Sequence, residues 1–296
     1  MRIEARGLGR RFGAVRALRD LTFEIPSGRR LALIGPNGSG KSTLNRILMG
    51  LIGFEGEARL DGCSPLAERA RVARRMAYVP QIPPQTAVPV AELLAAVVRV
   101  RGIPAADVEE VAGALGLDLA ALADRPFRGL SGGMKQKLLI ALALGSRASL
   151  LILDEPTGSL DAASRERFFE IFDGLADRAT VVLCSHRLEE VRLLVDHVLA
   201  LADGRLAWDG PAAAFLAAST RSLIEVAAAC EAAGPWLEAR GFRKGAGNRW
   251  HRTLPPAEKL RLLPELASQL GGRLSDLNVR DLESLEPGPA RFDGGP

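Results

Sequence analysis

The sequence predicts an α/β fold built on a largely parallel sheet, followed by a small α+β unit. Three observations carry this reading. The glycine-rich stretch Gly35-Pro36-Asn37-Gly38-Ser39-Gly40-Lys41-Ser42 directly follows the apolar run Arg30 to Ile34 and leads into a helix-forming segment, Thr43 to Leu48. Leu150 to Leu153 and Ala179 to Cys184 are apolar without alternation, the pattern of parallel strands covered on both faces. From Pro89 to Gly145 the apolar period becomes helical, with Leu93, Leu94, Val97 and Val98 recurring at spacings of three and four. Alternating buried strands and helices make an open α/β sheet, which binds its ligand at the carboxyl ends of the strands.

In order along the chain, Arg2 to Gly7, Leu18 to Ile25 and Arg30 to Ile34 read as strands, and Gly56 to Asp61 and Met76 to Pro80 as two more. Leu138 to Leu144 is too short to span a membrane and reads as a core element. A boundary falls between Ala213 and Arg221, where a short apolar helix closes the first unit. This divides the chain into domains over 1–220 and 221–286, with a frayed tail over 287–296. In the second domain Leu223 to Ala228 reads as strand and Glu231 to Arg240 as helix. Asn248 to Leu254 then reads as strand, Pro256 to Leu270 as amphipathic helix and Leu274 to Val279 as a last strand. A β-α-β-α-β order of this kind points to a small ferredoxin-like unit, with Trp236, Phe242 and Trp250 as its core.

Composition bounds the function. The 296 residues exceed one typical domain, and 47% hydrophobic content supplies an ordinary globular core. No apolar run approaches the roughly 18 residues of a membrane span. Met1 to Gly13 alternates apolar with charged residues and lacks the apolar stretch of a signal peptide, so a cytoplasmic protein is expected. The net charge of +4 (39 basic minus 35 acidic) is too mild and dispersed to argue for nucleic acid. Arg69, Arg71, Arg74 and Arg75 cluster without interleaved aromatics and read as a solvated helix face. Cys63, Cys184 and Cys230 are odd in number and lack C-x-x-C spacing, so all are expected to be small buried hydrophobes. His197 and His251 read as surface or satisfied core residues.

The chemistry lies in the glycine-rich loop and three later motifs. Gly35 to Ser42 matches G-x-x-x-x-G-K-[ST], a loop whose successive N–H groups surround phosphate oxygens. Gly35, Gly38 and Gly40 let the main chain approach closely. Lys41 adds a point charge for β- and γ-phosphates, the Ser42 hydroxyl is placed to ligate Mg²⁺, and the next helix aims its dipole at the phosphates. In Leu130-Ser131-Gly132-Gly133, two glycines before a helix make an anion-binding N-terminus that Ser131 caps. Leu150 to Leu153 holds Asp154 at a strand tip as a Mg²⁺ ligand, and Glu155 beside it can polarise an attacking water. His186, in Cys184-Ser185-His186, follows the end of the apolar run Ala179 to Cys184.

In this order the motifs resemble the ATPase cassette of ABC transporters, over about residues 2–218. The resemblance implies a P-loop NTPase of ABC ATPase type, with a RecA-like core, an antiparallel β subdomain and an α-helical signature subdomain. It implies ATP and Mg²⁺ as ligands. Phe12 stands where the family has an adenine-stacking tyrosine, and Val15 supports the same pocket. Asn37, Gly38, Ser39, Gly40, Lys41, Ser42 and Thr43 would hold the phosphates; Gln81 matches the Q-loop glutamine. Ser42, Gln81 and Asp154 would ligate the metal, while Glu155 and His186 would be catalytic. Ser131, Gly132 and Gly133 match the signature that completes a partner's site, with Met134 in place of the usual glutamine. Asp161 matches the D-loop, with Ser159 where glycine is commoner.

By the same resemblance the partners are a second ATPase subunit, giving a homodimer, and a transmembrane permease clasped near Gln81 and Pro83 to Val98. The protein would sit peripherally on the inner face of the cell membrane. Residues 222–286 are more faintly similar to the C-terminal domain of ATPases in bacterial polysaccharide, multidrug and copper-maturation exporters, through Asp276-Leu277-Asn278-Val279 and Ser284-Leu285-Glu286. Export is therefore expected, with copper or sulfur delivery for metalloenzyme maturation as one alternative cargo role. Pro287-Gly288-Pro289 replaces the acidic and aromatic ending usual in those relatives. A soluble ABC ATPase acting in translation or on chromosomes is the rival class. One cassette and no heptad run weigh against it. A switch that binds ATP without turnover is disfavoured by the complete set Asp154, Glu155 and His186.

Overall fold

The computed structural model describes residues 1–174 and 178–283. The chain divides into two compact units, Met1–Ala212 and a second from Ala213 onward.

The first unit begins with β1 (Ile3–Phe12), β2 (Val15–Ile25), β3 (Arg30–Ile34) and α1 (Lys41–Leu48). It continues through β4 (Glu55–Leu60), α2 (Arg69–Ala73), β5 (Met76–Val79), α3 (Val90–Arg101), α4 (Ala105–Ala114) and α5 (Gly132–Leu144). It ends with β6 (Leu150–Asp154), α6 (Ala162–Asp173), β7 (Thr180–Cys184), α7 (Leu188–Leu194), β8 (His197–Ala202) and β9 (Arg205–Pro211). Three strands form an antiparallel sheet in the order β2-β1-β4, and six form a second sheet in the order β5-β6-β7-β3-β8-β9. In the six-stranded sheet β5, β6, β7, β3 and β8 run parallel, and β9 returns antiparallel.

Period-two alternation explains why the central strands are apolar throughout. Leu150 and Ile152 of β6 face one core, with Leu31, Leu33, Leu199, the helix residues Leu44 and Ile47, and the three-stranded sheet. Leu151 and Leu153 face the other, against Ile140 of α5 and Phe168 and Phe172 of α6. Both phenylalanines are fully buried, and each stabilises the fold by about 1.5–3 kcal/mol through its burial. A third apolar cluster joins α3, α4 and α5 through Val90, Val108, Ala112, Phe127 and Leu138. Core lines both sides of α5, which is why Leu138 to Leu144 shows no single apolar stripe.

Strand β1 extends beyond the expected Gly7, to Phe12, because Gly7 takes φ +58° and the register shifts between Ala5 and Leu8. The glycine absorbs a bulge and the strand resumes. The hairpin β8–β9 was not expected from the sequence. It turns at Asp203 and Gly204, both with positive φ (49° and 76°), which suits a tight two-residue connection.

Helix α8 (Ala212–Ser219) begins at the last residue of the first unit, and the second then holds β10 (Thr220–Ala228), α9 (Gly234–Ala239), β11 (Arg243–Lys244), β12 (Arg249–Leu254), α10 (Pro256–Leu270) and β13 (Leu274–Glu283). Its antiparallel sheet runs β11-β12-β10-β13. The expected β-α-β-α-β order is corrected to β-α-β-β-α-β, because the two-residue β11 pairs with β12. A pair that short leaves no periodicity to read. Residues 231–233 form a separate 3₁₀ turn, so the helix expected from Glu231 begins at Gly234. Phe242 and Trp250 are buried among Ile224, Leu237 and Leu266, with Trp236 packed against them. The tail over 287–296 and the segment Ser284 to Glu286 lie outside the described residues.

Candidate active site

The six-stranded sheet gathers the motifs in a row. The carboxyl ends of β5, β6, β7 and β3, adjacent in that order, lead to Gln81, Asp154-Glu155, Ser185-His186 and the glycine-rich loop respectively. This is the edge at which parallel α/β sheets bind ligands.

The loop is shaped by its glycines. Gly35 has φ +141°, and a Cβ there would lie 2.1 Å from the Leu201 carbonyl oxygen of β8. Gly40 caps α1 at φ +108°, hard against Ala17 and Leu18 of β2. Gly40 supplies no side-chain cap, and the first helical bond runs from Leu44 N–H to the Gly40 carbonyl. The N–H groups of the first turn are thus left to an outside acceptor. Lys41 Nζ donates to the carbonyls of Gly35 (2.6 Å) and Pro36 (3.0 Å). Ser39 is buried, and its Oγ has no partner. Asn37 and Ser42 are exposed, and Thr43 is half-buried beside them.

Glu155 occupies left-handed backbone space (φ 50°), held by donation of its N–H to the Cys184 carbonyl at 2.8 Å. This turn points its carboxylate to His186, whose Nδ1 lies 2.8 Å from Glu155 Oε1. The Asp154 carboxyl is pushed above its ordinary range by burial and by the neighbouring Glu155 charge, against the pull of Lys41 and a hydrogen bond from Tyr78. Burial, reinforced by Asp154, pushes the Tyr78 hydroxyl up to about 12. Cys184 is pushed up to about 12 by burial and Asp154, and its Sγ accepts from Asn45 Nδ2 at 3.1 Å. Cys63 is buried as expected, whereas Cys230 is exposed, because it lies two residues past the end of β10 on an exposed bend.

Donor chemistry fits a magnesium nucleotide. Hard oxygens (the Ser42 hydroxyl, the Asp154 carboxylate and the Gln81 amide) suit Mg²⁺, and the destabilised Asp154 charge is what a nearby cation would relieve. The orphaned Ser39 hydroxyl and uncapped helix turn suit phosphate. Phe12 ends β1 half exposed at 42%, with the Arg10 guanidinium 4.6 Å from its ring centroid; Val15 opens β2 nearby and is exposed. Gln81 is exposed.

The signature residues belong to a different cleft. Ser131 caps α5, its Oγ accepting from Met134 N–H at 3.2 Å. Together with Gly133, Met134, Lys137 and Asp161 it lines a cavity of about 430 Å³. Asp161 caps α6 through Ser164 N–H at 2.8 Å and lies 4.0 Å from Lys137 Nζ. Gly132 is exposed at the same helix start.

Sequence reading missed one buried group behind the site. Glu190 of α7 is 1% exposed and accepts from the Thr157 hydroxyl. Burial pushes its carboxyl above the ordinary range, and the hydroxyls of Thr157 and Ser185 partly offset this. Thr157 lies two residues after Glu155 and Ser185 directly precedes His186, so Glu190 ties together the segments that carry Glu155 and His186. The signal available was a carboxylate four residues after His186 on the apolar side of a short helix.

A glycine loop at a helix N-terminus, beside a buried strand ending in paired carboxylates, defines a P-loop nucleotide-binding protein. The family model described as ABC transporter matches residues 18–158. The chain is 37% identical over 212 residues to "Nod factor export ATP-binding protein I" of Bradyrhizobium diazoefficiens, covering 69% of this chain and 68% of that protein. It is 36% identical over 244 residues to "Phosphonates import ATP-binding protein PhnC" of Anaeromyxobacter dehalogenans. That match covers 74% of this chain and only 47% of the relative, about half its length. A solved structure titled "Structure of ATP binding subunit of ABC transporter" aligns with a TM-score of 0.64 at 27% identity, over 71% of this chain and 90% of that one. The chain belongs to the ABC transporter family, among its ATP-binding ATPase subunits. Among the described residues no helix is long and apolar enough to cross a membrane.

Proposed function

We propose that the chain hydrolyses ATP at two composite sites of a head-to-tail homodimer and so drives a separate membrane permease, in the export direction. The observation that carries the hydrolytic reading is the Glu155–His186 pair beside Asp154 at the carboxyl ends of β6 and β7. Lys41 exchanges its two loop carbonyls for the β- and γ-phosphates, and the uncapped first turn of α1 donates N–H groups to the same oxygens. Bound Mg²⁺, held by Ser42, Asp154 and Gln81, would neutralise charge developing on the phosphates. Glu155 orients the attacking water and accepts its proton as the water oxygen bonds to the γ-phosphorus and the bond to the β–γ bridging oxygen breaks. His186, at hydrogen-bond distance, keeps the carboxylate aimed and can meet the γ-phosphate. Phe12 offers adenine the ring face opposite Arg10.

Ser131 and the α5 N-terminus line a cleft with Asp161, and in this reading they complete a partner's site. Exposed Ile82 (79%) beside Gln81 supports a permease contact there. Export is supported by the recurrence of Nod factor export proteins among the relatives, at 34–37% identity. Import relatives such as "Aliphatic sulfonates import ATP-binding protein SsuB 2" of Pseudomonas aeruginosa, 35% identical over 208 residues, make the direction a matter for vesicle transport assays.

The test uses mixed dimers of Ser131→Arg and Lys41→Ala chains. One composite site then carries both lesions while the other keeps an intact loop and signature. The expected result is nucleotide at one site per dimer; loss of occupancy at both refutes the head-to-tail arrangement. Each homodimer should release no phosphate above background, and wild-type release by either would refute the assigned role.

A further inference from the structure

Arg10 and Phe12 stand two residues apart on β1, so their side chains project from the same face of the strand. The Arg10 guanidinium lies over the Phe12 ring, 4.6 Å from its centroid, and covers one of its two faces. Phe12 is otherwise 42% exposed and packs into none of the apolar clusters of the first unit. Among the described residues, Arg10 is what holds the ring. Arg10 in turn is held by the fold. It stands opposite Leu18 of β2, whose side chain fills the hollow at Gly40, and a Cβ at Gly53 would lie 3.7 Å from Arg10 Nη1. Its Nε is buried without a partner, and among the described residues no carboxylate pairs with its charge. Arg11 Nε donates to the Gly13 carbonyl at 2.7 Å and so fixes the turn that follows Phe12.

A cation shielded from water and from counter-ions is attracted to a ring face more strongly than an exposed one. It draws the ring's electron density toward itself. The opposite face becomes less negative and stacks better on an electron-rich base. We propose that Arg10 is a positioning residue for the nucleotide's base: by holding and polarising the Phe12 ring, it sets a preference for a purine over a pyrimidine. The inference rests on the reading that Phe12 is the adenine platform. It requires no contact between Arg10 and the nucleotide, which separates it from direct binding of phosphate by the same guanidinium.

The experiment is calorimetric titration of the full chain with ATP, CTP and inorganic tripolyphosphate. It is run in EDTA, so that no turnover competes, and at about 0.3 M salt, which screens long-range attraction. Arg10→Met keeps the length of the side chain and removes the cation. Its Kd for ATP should rise by about threefold to tenfold, and its Kd for CTP by less. Its Kd for tripolyphosphate should stay within about twofold of the parent, which also shows that the variant keeps a folded loop. Arg10→Lys retains a charge and should bind ATP more tightly than Arg10→Met. Phe12→Leu should weaken ATP by itself. Adding Arg10→Met to it should then change the Kd for ATP by less than about twofold, because the platform through which Arg10 acts is gone. Equal losses for ATP and tripolyphosphate would make Arg10 a phosphate contact and overturn the proposal. An undiminished preference for ATP over CTP in Arg10→Met, an Arg10→Lys variant no tighter than Arg10→Met, or additive losses in the double variant would overturn it as well. If Phe12→Leu leaves the Kd for ATP unchanged, the adenine reading itself fails. If Phe12→Leu weakens ATP and Arg10→Met does not, only the role of Arg10 fails.

Discussion

Glu155 combines a catalytic assignment with a backbone that its side chain makes costly, and the two can be separated. Its φ of 50° places a residue with a Cβ in the left-handed region, at a cost of about 1–2 kcal/mol. Compare Glu155→Ala with Glu155→Gly. Both remove the carboxylate and the contact to His186, but only glycine occupies this region freely. Glycine carries about 0.5–1 kcal/mol of extra chain entropy into the unfolded state, so the net expectation favours Gly over Ala by about 1 kcal/mol or slightly less. This inverts the ordinary ranking within helices and strands. In a unit the size of Met1–Ala212 it corresponds to about 2–4 °C in Tm. Glu155→Gln keeps the strain and loses only the base. Because His186 is 73% exposed, its contact with Glu155 contributes little to stability, and Gln should melt close to the parent. Thermal unfolding by circular dichroism gives the stability order, and phosphate release gives the chemistry. Gln should hydrolyse ATP more slowly by about two orders of magnitude or more, with binding intact. An alanine variant as stable as the glycine variant would refute the strain argument; near-parental turnover by the glutamine variant would refute the base.

Three further outcomes follow from other contacts. Tyr78→Phe removes the hydrogen bond that helps keep Asp154 charged, so the apparent Kd for Mg²⁺ should rise by about threefold to tenfold with little change in saturated turnover, read by metal titration of phosphate release. Burial raises the Glu190 carboxyl above its ordinary 4.5, so the folded chain holds that proton more tightly than the unfolded one. Its contribution is present below that pH and is lost as pH rises through the folded value; Glu190→Gln should therefore gain stability relative to the parent at neutral pH compared with pH 4, measured by denaturant midpoints. A chain ending near Thr220 should fold and bind ATP with an affinity within about threefold of the full chain, because every residue proposed for the nucleotide site lies before the second unit; a folded fragment that cannot bind would refute that division.

How far the sequence could be read depended on the length and monotony of each signal. Arg30–Ile34 and Pro256–Leu270 matched the structure residue for residue, since one is a continuous apolar run ending in a glycine loop and the other a long amphipathic helix opened by proline. The hairpin β8–β9 was legible in principle from Asp203-Gly204, but after His197 its first strand is apolar and could equally have been helix. Linear motifs picked out the residues assigned here to ligand contact. They could not reveal Tyr78, Asn45, Thr157 or Glu190, whose importance arises only when the strand ends converge. A buried glutamate on a seven-residue helix looks, in sequence, like any polar residue of an exposed face.

The glycine-rich loop is wedged between parts of the chain that carry no motif. The β8–β9 turn donates from Gly204 N–H to the Ser39 carbonyl at 3.2 Å, and Gly204 O accepts from Arg19 N–H at 2.7 Å. The Leu201 carbonyl fills the hollow left by Gly35, while Ala17 and Leu18 fill that left by Gly40. In genetic terms, the loop's phenotype is then not confined to the loop. Random mutagenesis should recover inactive alleles at Ala17, Leu18, Leu201 and Gly204 that look like loop lesions. Suppressors of a mild loop defect should cluster at the same four positions, although none would be marked by a search for nucleotide-binding sequence patterns.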